Sequence, residues 1–406
     1  MNFLFLLKYT HILGGVETLA VRMSRWLVSH GHTVIILSNR IDKSGDSLFD
    51  KRVRLLSHEQ GQYALGCSWK VKKICKKLNI PRPDLIKGFD PESCWEASVL
   101  SQAFTPSPKV IAGVYLPTVS TTSTRLFRET RQKMLLQHFE KRLNRNNRLF
   151  ISDEQLENYR KERAPLMEGH VWPLAVDVGR FTSAQRQPRK GSLVSIGRLS
   201  PMKEYNLYMV DVVARLVRSG LDVTWDVYGD GPDEEHVKNL IHESGMEDRI
   251  RLHGRLPYDR FQDALLNAYI FVGMGTAAVE AAACGVPVVV AIAHDPTGMT
   301  YGRISRLPMG NIGDRMIRPP HLFVEDEIKA ILELTPQHYA REAEIDRAAA
   351  LQYDMEQRMQ HFMDIVERAT PCSPNAILKI AYSAHLRIEQ ARLCLSRKRE
   401  GGNAQC

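Results

Sequence analysis

Short apolar runs alternate along this chain with segments whose apolar residues return every three or four positions, a pattern that predicts a parallel sheet with helices on both faces. In the first half the runs Phe3 to Leu7, Thr33 to Ser38, Val53 to Ser57, Asp84 to Phe89, Lys109 to Tyr115, Arg148 to Ser152 and His170 to Leu174 read as strands. The clearest helix begins near Gly15, places Val16, Leu19, Ala20, Met23 and Leu27 on one face, and ends at His30-Gly31, where the glycine suits a C-cap. Between Arg180 and Gly191 Ser, Gln, Pro, Arg and Lys replace the apolar residues, marking a boundary. The alternation then resumes with Leu193 to Ile196, Val223 to Tyr228, Ile250 to His253, Tyr269 to Met274 and Val286 to Ala291.

The expected fold class is therefore α/β, with two Rossmann-like doubly wound parallel-sheet domains facing a cleft. Residues 1–180 and 190–370 form the two domains, and 371–406 a basic helical extension ending in a disordered Gly401-Gly402 tail. A length of 406 residues agrees, since it exceeds what one core usually holds. No apolar run is long enough to span a bilayer, and Lys8 interrupts the apolar start, which lacks a basic n-region and a cleavage site. The seven cysteines are scattered without a C-x-x-C pair, which points to a reducing cytoplasm and to no structural zinc.

Charge changes the picture by its unevenness. Of the net +9, residues 1–180 carry +11 and the remainder −2. One basic cluster is Lys70, Lys72, Lys73, Lys76 and Lys77; the other runs from Arg125 to Arg148, with eight basic residues against Glu129 and Glu140. In the second, Leu135, Phe139 and Leu143 recur every fourth position, as on a basic amphipathic helix suited to an anionic membrane surface. The plain alternative is a solvated helix packing on its own domain. No nucleic-acid-binding motif accompanies the charge, so nucleic acid is not an expected partner.

In such sheets ligands bind beyond the carboxyl ends of the strands, so chemistry is sought in the loops that follow them. Gly14-Gly15 follows the first strand and opens a helix whose backbone N–H groups suit a phosphate or sugar, although a tight turn would use the same glycines. Ser195 to Lys203 is more telling. A strand end delivers Arg198 and Lys203, five positions apart, next to Gly197, which lets a ligand come close. Such a pair matches a diphosphate: Arg offers a fork for two oxygens, Lys a mobile point charge, and both stabilise a leaving nucleoside diphosphate. Tyr228 to Pro232 is a poor phosphate loop because Asp230 repels anions; it is assigned to shaping the cleft. In His253-Gly254-Arg255-Leu256 the exposed backbone can meet a nucleobase edge, and His253 reads as structural. Met274 to Pro287 combines a strand end, a small-residue helix and a buried strand. Gly275, Thr276 and Ala277 would present free N–H groups to phosphate, and Glu280 could accept from ribose hydroxyls, its plain alternative being service to the helix dipole.

Taken together these stretches resemble the GT-B glycosyltransferases of family 4, in which Gly-Arg-Leu-Ser-Pro-x-Lys and Glu-Ala-x-Ala-x-Gly-x-Pro-Val are diagnostic. Gly14 to Glu17, Trp172 to Asp177 with Phe181, and Tyr228 to Pro232 match further family segments in the same order. The resemblance implies a nucleotide-sugar donor, with Arg198 and Lys203 on its diphosphate, Glu280 on its ribose and Gly15 near the diphosphate and transferred sugar. It also implies retention of anomeric configuration, the departing phosphate taking the acceptor proton, and neither cofactor nor metal. Two positions depart from the family: Val272 stands eight residues before Glu280 where relatives often have glutamate, and the strand ending at Val114-Tyr115 lacks a histidine many relatives carry.

The basic first half suits a glycan acceptor carried on a lipid at the cytoplasmic membrane face, as in polysaccharide or glycoconjugate biosynthesis. The competing readings are a noncatalytic carbohydrate- or membrane-binding protein on a decayed scaffold, which Val272 favours, and a nucleotide-sugar epimerase, which would need further catalytic carboxylates. A phosphorylase would need a cofactor-binding lysine region, which is not evident. A dinucleotide oxidoreductase fails on the missing G-x-G-x-x-G after the first strand.

Overall fold

A computed structural model describes residues 1–9, 15–41, 48–57, 68–114, 143–162 and 168–372. The chain divides into two compact units: Met1–Ile151 with Tyr159–Trp172 and Met359–Cys406, and Ser152–Asn158 with Pro173–Arg358.

The first unit holds β1 (Asn2–Tyr9), α1 (Gly15–Ser29), β2 (Thr33–Arg40), β3 (Arg54–Ser57), α2 (Ser68–Lys77), β4 (Leu85–Gly88), α3 (Pro91–Leu100), β5 (Lys109–Val114) and β6 (Arg148–Phe150). Helix α4 (Asp153–Glu162) follows, its last turn in this unit, and then β7 (His170–Val171). The seven strands are all parallel, in the order β3-β2-β1-β4-β5-β6-β7. Strand β1 is buried from Phe3 to Leu7, the near-continuous apolar run that a strand covered on both faces requires. Helix α1 turns Leu19, Ala20, Met23 and Leu27 inward, and Gly31 follows in the left-handed conformation at φ +77°. Lys87 is fully buried in β4, with its ammonium 4.5 Å from the Phe89 ring centroid and 5.7 Å from that of Phe362.

The second unit repeats the plan with β8 (Ser192–Ile196), α5 (Tyr205–Arg218), β9 (Thr224–Tyr228), α6 (Glu234–Ser244), β10 (Ile250–Leu252), β11 (Ile270–Gly273), α7 (Thr276–Ala283), β12 (Val288–Ala291), β13 (Met299–Arg303), β14 (Leu322–Phe323), α8 (Val324–Leu332) and α9 (Pro336–Leu351). Helix α10 (Met355–Arg368) then carries the chain back, its residues from Met359 belonging to the first unit. The order β10-β9-β8-β11-β12-β13-β14 reproduces that of the first sheet, except that β13 runs antiparallel to both of its neighbours, β12 and β14. Strand order reverses between β8 and β11, the switch point beyond which such sheets bind ligands. Beneath it, Trp225 Nε1 donates to Ser195 Oγ at 2.9 Å, and that hydroxyl donates to the Val272 carbonyl at 2.6 Å, so three neighbouring strands share one buried polar chain.

The two doubly wound sheets match the expectation from the alternating pattern. That pattern does not predict the antiparallel edge: Met299–Arg303 carries Gly302 and Arg303, whose guanidinium is buried in an ion pair with Asp346 of α9, and this polar content disguises the strand. Much of the basic run Arg125 to Arg148 lies outside the described residues. Where the run re-enters them, Leu143 packs in the first unit's own core, and buried Arg148 donates to the carbonyls of Leu143 and Glu168. Arg148 is thus a tie within its unit, correcting its expected place on a membrane-facing surface, while Arg145 is exposed.

Candidate functional site

Four loops meet at the carboxyl edge of the second sheet. The loop after β8 is sewn to its neighbour by Gly197 N–H to Tyr228 O at 2.9 Å and Leu199 N–H to Asp230 O at 2.8 Å, and the β9 loop is held in turn by Gly229 N–H to Gly254 O at 2.7 Å. A Cβ on Gly229 would overlap the carbonyl oxygen of Gly197, and one on Gly231 that of Leu199. The glycines of Tyr228 to Pro232 therefore serve close backbone packing, in accord with a turn that shapes the site.

Gly197 leaves a notch beside it, and Lys203 occupies it: a Cβ added there would overlap Lys203 Nζ and lie 3.4 Å from Tyr205 Oη. The Lys203 ammonium makes no hydrogen bond or ion pair among the described residues, and burial pulls its pKa down to about 8. Arg198 is exposed and likewise without a described partner. Two cations without counter-charge at a strand end form an electropositive seat for an anion. Tyr205 Oη, at the same notch, and Tyr208 Oη, three residues on, are buried with no hydrogen-bond partner, and desolvation raises both phenols well above their ordinary range. Sequence reasoning missed these tyrosines because an aromatic at helical spacing reads as core, which Tyr205 also is.

The loop between β11 and α7 is only Met274 and Gly275, and Gly275 adopts φ +75°, a conformation that side chains resist. Its amide is not free, as the sequence suggests, but donates to Ile312 O at 2.7 Å, because the 310–313 loop crosses the helix start. Thr276 and Ala277, half-buried, keep their amides unmatched among the described residues, so the open helix end comprises these two. Glu280, one turn on, is 3% exposed and accepts from Tyr258 Oη at 2.9 Å, and the Tyr258 ring carries the Arg180 guanidinium 4.9 Å from its centroid. Tyr258 is a third residue that sequence reasoning missed, since it follows Leu256 in a loop without periodicity.

His253 is structural, as expected: its ring stacks on Tyr228 at 4.4 Å and meets Asp226 Oδ1 at 2.7 Å. The Gly254 carbonyl is consumed by Gly229, whereas the backbone groups of Arg255 and Leu256 have no described partner. Val272 lies inside β11, wholly buried in the apolar core, so this position is strand and not loop. Asp295, on the next loop, is buried, accepts from the amides of Thr297 and Met299, and pairs with Arg315 at 3.0 Å. Gly14 lies outside the described residues; Gly15 opens α1 in the first unit and is exposed.

A doubly wound sheet with a crossed glycine loop, a neighbouring Arg and Lys and an open helix end at its switch point has the features of a nucleotide-phosphate site in a Rossmann-like fold. The chain belongs to the glycosyltransferase group 1, family 4 type: residues 13–180 match the model described as Glycosyltransferase Family 4, and 181–297 that described as Glycosyl transferases group 1. Among curated proteins, the phosphatidylinositol N-acetylglucosaminyltransferase GPI3 subunit of Saccharomyces cerevisiae is 31% identical over 114 residues, covering 27% of this chain and 25% of that protein. The 2-deoxystreptamine glucosyltransferase of Streptomyces kanamyceticus is 32% identical over 136 residues, covering 29% and 35%. The matched stretches thus span only about a third or less of these relatives' own lengths. Among solved structures, Anabaena HepE in complex with UDP and glucose superposes with a TM-score of 0.65 at 17% identity, covering 91% of this chain and 100% of that one. Sucrose-phosphate synthase from Thermosynechococcus elongatus gives 0.67 at 14% identity, covering 90% and 98%. At such identity these likenesses establish the shared GT-B fold.

Proposed function

We propose that the chain is a retaining glycosyltransferase that moves a sugar from a nucleotide-sugar to a glycan acceptor, one carried on a lipid at the cytoplasmic face of a membrane. The observation that carries this is the pair Arg198 and Lys203, two cations without a described counter-charge at the end of β8, the lysine half-buried. An anion that brings its own charge to that seat relieves the cost of burying Lys203. A nucleoside diphosphate fits because Thr276 and Ala277 offer further N–H groups, and Arg255 and Leu256 offer backbone for a base.

In this reading Arg198 and Lys203 bind the diphosphate and take up the charge that grows on it as the glycosidic bond breaks. The helix end at Thr276 assists, and Glu280, held by Tyr258, receives the ribose hydroxyls. The departing phosphate oxygen accepts the acceptor's proton, so the new bond forms on the face the donor leaves. The likeness to a phosphatidylinositol N-acetylglucosaminyltransferase supports a lipid-borne acceptor. Among the described residues no helix is long and apolar enough to cross a membrane.

Val272 favours a second reading, a binding protein on the same scaffold, because a strand-buried valine offers the donor sugar no carboxylate. Incubation with UDP-, GDP- and ADP-sugars, followed by NMR of released or transferred sugar, separates the two. Turnover with the product in the donor's anomeric configuration supports the transferase. Nucleotide binding without any turnover supports the binding protein.

A further inference from the structure

The first unit contains a cavity of about 430 Å³ at the amino-terminal edge of its sheet, the edge opposite the loops where such folds bind their ligands. Four elements converge there. Arg145 and Asn146 come from the turn before β6, Glu168 and His170 from the start of β7, Arg160 from the last turn of α4 and Arg368 from the end of α10. Three guanidinium groups thus line one concavity against one carboxylate.

Local duties do not account for Arg145 and Arg368. Arg145 reaches Glu168 at 3.6 Å, but both side chains are more than half exposed, so water screens the pair. A helix end often recruits a basic residue to its carbonyls, yet the α10 carbonyls of Val366 and Glu367 are already taken by Lys109 Nζ at 2.9 and 2.7 Å. Arg368 makes no hydrogen bond or ion pair among the described residues. Within the same wall, His170 Nε2 is buried with no partner. Burial and the nearby positive charge of Arg368, His361 and Arg145 hold its pKa below the ordinary imidazole value.

From this geometry we infer that the cavity is a second anion site, separate from the one at Arg198 and Lys203, that takes a phosphate-bearing group between Arg145, Arg160 and Arg368, with His170 in its wall. Guanidinium forks present paired N–H donors that match phosphate oxygens, and a cavity of this size lies in the range of small-ligand sites. A phosphate there supplies the acceptor for the arginines and favours the protonated, donating form of His170. Its source is either a soluble phosphate or a lipid headgroup at a surface; the chemistry of recognition is the same.

The test uses the full chain carrying Arg198→Ala, so that the other anion seat is weakened, with and without Arg145→Ala and Arg368→Ala together. Titration calorimetry with inorganic pyrophosphate and sedimentation with vesicles of phosphatidylglycerol in phosphatidylcholine are the two arms. Calorimetric binding weakened at least about tenfold by the double change assigns a soluble source, and vesicle retention lost with the double change assigns a headgroup. Both keep the site. An NMR titration of His170 gives an independent reading, with its pKa raised by the bound probe. Equal behaviour of parent and double variant in both arms, at unchanged thermal midpoints and with no shift of His170, overturns it.

Discussion

Gly229 and Gly197 face each other so closely across two adjacent strand-end loops that the hydrogen on Gly229 stands where no carbon could: its missing Cβ would overlap the Gly197 carbonyl oxygen. The backbone bond from Gly197 N–H to Tyr228 O, 2.9 Å long, holds the loops at that spacing. Gly229→Ala therefore pushes the Arg198 loop away from its neighbour. The expected result is a loss of at least about 2 kcal/mol in urea unfolding, in the range of overpacking at a rigid site. An unchanged midpoint would mean the loops can separate freely.

Lys203 gives a pH prediction. Its pKa in the unliganded protein lies near 8, below the ordinary lysine value, because burial disfavours the charge. A bound diphosphate favours the ammonium and raises that pKa. Above about pH 8 the free protein must therefore take up a proton to bind, and affinity for a nucleoside diphosphate falls by up to about tenfold per pH unit. Calorimetry from pH 7 to 9.5 checks this, and Lys203→Met should bind weakly with a flat profile. A slope that persists in the variant would point to another group.

Asp314 is the counterpart among carboxylates. Its Oδ2 is buried without a partner, and burial, together with the like charge of Glu154, raises its pKa to about 6 from 3.8. A carboxyl whose folded pKa is raised binds more protons folded than unfolded, so stability is lost as pH rises from about 4 to 6 and stays lost above. Asp314→Asn should stabilise the protein at pH 8 by about 3 kcal/mol at most, and by little at pH 3.5. Equal midpoints for both proteins at pH 8 would show that the charge is not felt.

The buried Tyr205 hydroxyl lacks a partner, so Tyr205→Phe should leave the unliganded protein as stable or more stable, by up to about 1–3 kcal/mol. A clear drop in the thermal midpoint would show that the hydroxyl is bonded.

Much of the fold is legible in the amino-acid order. The parallel strands of both sheets follow from apolar runs because such strands are buried on both faces, as Phe3 to Leu7 and Val288 to Ala291 are. The Arg198 and Lys203 loop stands out because it follows a strand and brings a glycine together with two cations suited to phosphate oxygens. Other features depend on partners distant in sequence. Nothing near Gly275 announces that Ile312 will take its amide, or that Tyr258 will face Glu280. Arg148 reads as one more charge in a basic run, and only folding brings the carbonyls of Leu143 and Glu168 to it. The Arg368 cavity is likewise built from pieces about two hundred residues apart in the chain.

The most direct test of the central claim is thermal stabilisation by nucleoside diphosphates and their sugars, because a ligand that binds only the folded state must raise its midpoint. The account predicts that one of UDP, GDP or ADP stabilises the wild-type chain and that Arg198→Ala and Lys203→Ala each abolish most of the shift. A midpoint unmoved by all three nucleotides and their sugars, in a protein that is folded and monodisperse, would contradict it.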